Sequence, residues 1–484
     1  MASTKSAQIR SRLNHPVIDT DGHSLEFLPL FEDYLAQVGG PDMVERFKAV
    51  PRGENFQQPF EWHRLTPEER LDRRAYRPVW WIKPTRNTRD RATAMLPNLL
   101  RERMDEFGFD YTILYPTAGL TLLWEPEAEV RQAACRAFNT MQADLYREHA
   151  ERMTPVAMIP AYTPDEAIAE LEHAVRSNGL KAVAIGGHVR RPIPIVEREA
   201  PELAAYAQWM DLLALDSAFD YDPLWAKCVE LGVAATSHGH VHGFGINASI
   251  SSYVYNHIGK FGYAGEAFCK AVVLGGVTRR FPTLQFAFLE GGVAWAASLY
   301  AALIGHWEKR NAKELGHIDP ANLDRGELEE LIRRHGGSLI EGREERLREV
   351  LDGFSTSHED PALLDEFAAC GIERAEDFQE VFLKNFYFGC EADDPTNVWA
   401  FRVPAERRLK AIFGSDIGHW DVPDMSAVLE EAYEVVEDGQ IGEEDFRDFV
   451  FTHPARLHAG MNPGFFKGTA VEGAVERLLA ESAD

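Results

Sequence analysis

Residues 17–23, Val17-Ile18-Asp19-Thr20-Asp21-Gly22-His23, read as a short buried strand running into an acidic side chain and an imidazole, with one glycine between them. Gly22 leaves the backbone free to bend where a bulkier residue would resist, so both side chains can turn toward one point. An aspartate oxygen and a histidine nitrogen together suit a divalent metal of hard-to-borderline character. The plainer reading is a strand that ends in a turn, with Asp21 accepting backbone N–H groups and His23 on the surface. Short motifs match by accident, so the choice rests on what the remaining strands deliver.

Seven further apolar runs follow. Tyr111–Tyr115 is stopped by Pro116, Pro155–Ile159 comes next, and Ala182–Ile185 ends in Gly186-Gly187-His188. Val233–Thr236 delivers Ser237-His238, and Leu284–Leu289 delivers Glu290. Phe386–Phe388 is a short seventh run, and Lys410–Phe413 delivers Gly414-Ser415-Asp416. Helical patterns alternate with them. Val130, Ala134, Phe138, Met141 and Leu145 recur at helical spacing, and Thr163-Pro164-Asp165-Glu166 is a capping box. Eight strands alternating with helices predict an α/β chain with a parallel sheet. No Gly-rich phosphate loop follows the first strand, which favours a closed (β/α)8 TIM barrel over an open doubly wound sheet. In such a barrel every C-terminal strand end meets one mouth.

One barrel domain is expected over residues 14–466, with two long helical or irregular insertions. Residues 50–92 carry Pro51, Pro59, Pro67, Pro78 and Pro84 beside Phe60, Trp62, Trp80 and Trp81, a composition suited to a lid, a pocket wall or a subunit contact. Residues 319–377 are charge-laced, and the pairs Glu329/Arg333, Glu330/Arg334 and Glu344/Arg348 mark a solvated helical face.

The chain has 484 residues and a formal net charge of −27. That field repels nucleic acid and anionic membrane, so neither is an expected partner. Five scattered cysteines form no CxxC pair, which is neither a disulfide framework nor a thiolate zinc site and fits a reducing, cytoplasmic setting. The polar N-terminus has no secretory pattern. The greasy run Phe286–Trp307 is broken by Glu290, Gly291 and Gly292, and reads as strand, turn and helix, not as a membrane span.

The residues delivered at strand ends are Asp21 and His23, His238, Glu290 and Asp416. Two imidazoles and two carboxylates can hold one divalent ion and leave a position for water or substrate. Glu290 is then placed to orient a group or move a proton. His240, His242 and His257 lie just beyond the fifth strand, and His240 or His242 is an alternative ligand to His238. His257, in Tyr255-Asn256-His257, is a candidate catalytic or substrate-binding group, or else a structural loop histidine. His419 is read as pocket wall or as support for the ligands.

With these stretches assembled, the sequence resembles the amidohydrolase superfamily, in particular its amidohydrolase-2 branch of metal-dependent hydrolases and decarboxylases. The matching stretches are IDTDGHSLE (18–26), Ser237-His238, RRFPTLQFAFLEGGVAW (279–295), IFGSDIGHWD (412–421) and HPARLHAG (453–460). The resemblance implies metal ligands at Asp21, His23, His238 and Asp416. Asp-x-His stands in place of the family's first-strand His-x-His, and Glu290 stands where relatives often carry histidine. Strand four lacks the bridging lysine of binuclear members, so one ion is implied, Zn2+ first and Mn2+ as the alternative. A homodimer is also implied.

Three functions are carried forward. The leading one is a hydrolase in which Asp416 takes a proton from activated water and Glu290 or His257 steadies the developing oxyanion. The second is a non-oxidative decarboxylase on the same site, and the third a barrel that serves only as a binding scaffold. The aromatics of residues 60–81, with Trp295 and Trp420, point to a small-molecule substrate of apolar or aromatic character.

Overall fold

β-Branched and aromatic residues fill the eight expected strands, and all eight form in the computed structural model, which describes residues 3–50, 60–79, 86–239, 243–360, 363–402 and 408–481. They are β1 (Ile18–Ser24), β2 (Tyr111–Pro116), β3 (Met153–Ile159), β4 (Ala182–Ile185), β7 (Ala235–Ser237), β8 (Phe286–Phe288), β9 (Phe386–Glu391) and β10 (Ala411–Gly414). They hydrogen-bond in the order β1-β2-β3-β4-β7-β8-β9-β10, and every neighbouring pair is parallel. This is a (β/α)8 barrel. Two strands were not expected: β5 (Val189–Pro192) and β6 (Gln208–Asp211) make an antiparallel hairpin after β4. Pro192 closes β5 and Pro194 opens the helix after it, a local composition that argues against a strand.

Side chains and turns stitch the seam between the last strand and the first. Thr20 Oγ1 donates to Phe413 O at 2.7 Å, and Asp416 N donates to Asp21 O at 2.9 Å. His23 N donates to Ile417 O at 2.9 Å. Beneath them the buried Asp19 carboxylate accepts from Ser415 N at 2.9 Å, Ser415 Oγ at 2.8 Å and Thr112 Oγ1 at 2.6 Å. Burial raises its pKa to about 6, against those hydrogen bonds.

The role of Gly22 differs from the one expected. Its φ is not among the left-handed ones, and β1 continues through it to Ser24. Glycine is needed for room. A Cβ there would stand 2.6 Å from Asp19 Oδ2 and 2.9 Å from Thr112 Oγ1.

Outside the barrel, helix Ala128–Tyr146 buries Val130, Ala134, Phe138 and Met141, as their spacing requires. Thr163 caps helix Pro164–Glu172 by accepting from Glu166 N. In the second insertion, Glu329 and Arg333 pair at 2.7 Å. Glu344 and Arg348 fall on different elements, because a 3-10 turn over Glu344–Arg346 precedes the helix Leu347–Ser355. Helix His453–Ala459 packs on β1 and β10, with Pro454 in its first turn. Its His458 is buried and stacks 4.4 Å from Phe465. No helix among the described residues is long and apolar enough to cross a membrane.

Two outcomes follow from this packing. Gly22→Ala should lower unfolding stability by about 1–3 kcal/mol, the usual cost of forcing a methyl into filled space, read as a shift in denaturant midpoint at constant slope. Burial, helped by Lys181, depresses the His458 pKa to about 3. A histidine held neutral in the fold favours unfolding once the unfolded chain binds the proton. Its contribution is therefore intact above pH ~6.5 and falls by about 1.4 kcal/mol per pH unit from there toward pH ~3. His458→Gln should flatten that part of the acid limb, measured by urea titration at pH values between 4 and 7.

Candidate metal centre

β1 brings two ligand-bearing side chains into the mouth because its pairing with β2 shifts register between Asp19 and Gly22. Asp21 and His23 are 3% and 0% exposed. β7 ends one residue before His238, which is 1% exposed, and β10 ends two before Asp416, which is 3% exposed. Asp416 (φ 48°) and Glu290 (φ 56°) both hold left-handed backbone without being glycine. Such conformations cost about 1 kcal/mol or more and persist where the surroundings enforce them.

The side chains converge closely. His23 Nε2 lies 3.2 Å from His238 Nε2, 3.5 Å from Asp21 Oδ1 and 3.4 Å from Asp416 Oδ1. His238 Nε2 is 3.5 Å from the same Asp21 oxygen and 3.1 Å from Glu290 Oε2. Two groups, Asp21/His23/His238 and His23/Glu290/Asp416/His419, each offer ligand atoms within 4.8 Å of one another, and they share His23. All four residues expected to bind metal are thus gathered at one point. Glu290 and His419 stand beside them.

Burial strongly perturbs the ionisation of this cluster. Burial raises the Asp21 pKa to about 8, with Glu290 and Asp19 adding to it against His238. Burial, then Glu290, Asp421 and Glu391, hold Asp416 well above the usual carboxylate range. Burial also drives His23 well down, so it stays neutral, whereas at His238 burial is outweighed by Asp21 and Glu290 and the pKa rises. Asp21 Oδ1 is buried without a hydrogen-bond donor. The two imidazole Nε2 atoms face each other at 3.2 Å, a spacing at which both can also ligate one ion. The separations match the edge, about 3.3 Å, of a tetrahedron of ligands at ~2.0–2.1 Å from a metal. The donor set fits a divalent ion.

The surroundings fix the ligands. His419 Nδ1 is 2.6 Å from Asp416 Oδ1, its other nitrogen is 3.1 Å from Thr117 Oγ1, and its ring stacks on His23 at 3.9 Å. Tyr115 lies against His23 and His238, and donates to Thr236 Oγ1 at 2.6 Å, which donates on to Val183 O. Phe261 stands edge-on between His238 (5.1 Å) and His257 (6.3 Å), so His257 lines the cavity one ring away from the cluster. That cavity, of about 200 Å³, is walled by Phe60, Tyr76, Tyr253, Phe261 and Trp420. The first insertion reaches it, tied down by Trp62 Nε1 to Ile250 O at 3.3 Å and Arg77 N to Ser249 O at 2.8 Å. Trp80, Trp81, His240 and His242 lie outside the described residues. Trp295 packs instead on Phe288 and Phe388 in the barrel wall.

Sequence reading missed three residues here. Glu391 lines the mouth because β9 runs three residues past Phe388, and its carboxyl is raised by burial and by Glu290. Asp421 sat inside a quoted motif without a role, and Lys260, also lining the cavity, carried no pattern at all. Strand-end position failed for Glu391 because that strand was read as ending at Phe388, and the other two carried no signal.

Residues 73–338, more than half of the chain, match a family model described as Amidohydrolase. No curated protein matches. Among solved structures, amidohydrolase map2389c from Mycobacterium avium subsp. paratuberculosis K-10 is 16% identical, with a TM-score of 0.54 over 92% of this chain and 99% of that one. A 2,6-dihydroxybenzoate decarboxylase from Rhizobium is 14% identical, with a TM-score of 0.47 over 92% and 98% of the two chains. The dihydroxybenzoic acid decarboxylase of Polaromonas sp. JS666, solved with manganese and 2-nitroresorcinol, is 14% identical, with a TM-score of 0.48 over 92% and 97%.

Elemental analysis of protein purified without chelator should return one divalent ion per chain. His23→Ala and His238→Ala should each lose it, while Phe261→Leu keeps it.

Proposed function

The chain belongs to the amidohydrolase family, and on that premise we propose that it is a mononuclear metal-dependent hydrolase of a small aromatic or apolar substrate. The observation that carries this reading is the pair of imidazole nitrogens 3.2 Å apart, both 3.5 Å from the same donorless Asp21 oxygen. Asp21, His23, His238 and Asp416 would hold the ion, Zn2+ by its liking for mixed N/O ligands in a tetrahedron. Mn2+ would suit an expanded set that recruits Glu290. When bound, the ion would lower the pKa of water toward ~7 and polarise the scissile carbonyl.

The chain's own groups do the rest. Asp416, held from one side by His419, accepts the proton of the attacking water and passes it to the leaving group. Glu290, 3.1 Å from His238 Nε2 and facing the cavity, orients the incoming water or the departing group. His257 approaches from the opposite wall, where it can donate to the developing oxyanion. The aromatic wall excludes water and seats the ring of the substrate. A non-oxidative decarboxylase would use the same residues, with Asp416 protonating the substrate carbon as CO2 leaves.

Asp416→Asn should lose turnover by at least the ~10²–10⁴-fold typical of a general base, and Glu290→Gln should lose less. Running the assay in ¹⁸O-labelled water separates the chemistries: label in the product supports hydrolysis, and CO2 release without label assigns the decarboxylase. Normal turnover in metal-replete Asp416→Asn would remove that residue from the mechanism.

A further inference from the structure

From Leu231 to Gly259 the chain carries no Asp, Glu, Lys or Arg, in a protein that is 26% charged. Part of that stretch surfaces beside the mouth of the barrel. Ile246, Val254, Tyr255 and Ile258, with Tyr263 just past its end, are between 49% and 70% exposed. They form one patch. Val254 and Ile258 lie one turn apart, Ile258 N donating to Val254 O at 3.0 Å. Ile246 and Tyr255 line one groove of about 620 Å³, and the Tyr263 ring lies against Gly259.

The patch is firmly built. The buried Asn256 side chain accepts from Ser249 N at 2.6 Å, and donates to Ser249 O at 2.8 Å and to Arg77 O at 3.0 Å. Ser252 caps the short helix Tyr253–His257 by accepting from Tyr255 N at 3.1 Å. A preformed surface loses little freedom on docking.

Charge and area together say what covers it. Two copies of a chain with a net charge of −27 repel one another, and they approach at least cost where the surface carries no charge. A two-fold axis sets one such patch against itself. A charged partner would find little to pair with, since Arg74 is the one charged residue lining the groove among the described residues. At their exposures the five side chains offer roughly 400–500 Å² of apolar surface. That equals the apolar share of a standard interface, which takes about 800 Å² from each partner and is roughly 60% apolar. Leu339 and Phe354 are also exposed, but they stand among the carboxylates and guanidinium groups of residues 319–377.

We propose that this patch is the interface of a homodimer, with the Val254–Ile258 ridge of each copy seated in the Ile246–Tyr255 groove of the other. The inner face of the same short helix presents Tyr253 and His257 to the aromatic cavity, so each copy backs the cavity wall of its partner from outside. The interface stands apart from the chemistry assigned to the metal centre.

Light scattering after size exclusion at micromolar concentration should return two chains per particle. Val254→Glu/Ile258→Glu should weaken association at least ~100-fold while keeping the metal content and thermal midpoint of the unsubstituted protein. Leu339→Glu/Phe354→Glu should leave the dimer intact. In the unsubstituted protein, the amides of Tyr253–Ile258 should exchange about tenfold faster once dilution separates the copies. Single chains at micromolar concentration would overturn the proposal, and so would a dimer that survives Val254→Glu/Ile258→Glu or is lost in Leu339→Glu/Phe354→Glu. Single chains that sediment with phosphatidylcholine vesicles would overturn it by giving the patch to a neutral lipid surface. If the first variant loses its thermal midpoint, exchange on dilution decides, and protection of Tyr253–Ile258 that dilution leaves unchanged rules the interface out.

Discussion

A barrel made of eight strands must bring its first strand against its last, and here that junction hangs on one carboxylate. Asp19 holds Ser415 of the last strand's exit and Thr112 of β2 at once, from a fully buried position. Both carboxylates proposed as ligands flank it: Asp21 is two residues along β1, and Asp416 follows Ser415. The seam therefore sets the separation of Asp21 and Asp416, and with it the size of any ion they can share. Gly22 serves the same junction by leaving the space that Asp19 and Thr112 fill.

The mouth above this seam concentrates negative charge in a dry place. Burial first, and neighbouring carboxylates after it, raise the proton affinity of Asp21, Asp416 and Glu391, a perturbation typical of functional sites. The supporting shell is apolar or aromatic: Tyr115, Phe261, Trp420 and the ring of His419. It fixes the ligands by packing and lowers the local dielectric, so each charge counts for more.

The barrel was legible in sequence because its strands are short apolar runs punctuated by glycine and proline, and because the residues after them repeat one chemical type. Asp21, His23, His238, Glu290 and Asp416 were all reachable by that rule. Glu391 was not, since Gly389 and Cys390 looked like the end of a strand that continues through them. Asp19 was quoted and passed over, because a buried carboxylate whose donors, Ser415 and Thr112, stand far away in sequence has no spacing signature. The reason for Gly22 was also misread. Sequence reports that a side chain is missing but not whether the backbone or a neighbour requires it. The hairpin β5–β6 ends its first strand on Pro192, a context in which local propensity argues against strands.

The left-handed backbone at Glu290 and Asp416 has a bearing on how this protein could change over time. Asparagine tolerates that conformation at least as readily as aspartate, and at position 416 it would also remove one of five crowded charges. The substitution proposed above to cost turnover is therefore one the fold should welcome. Drift without selection for activity would run downhill toward an inert, sturdier barrel. On the role proposed for Asp416, its persistence among descendants of this chain would mark selection for turnover.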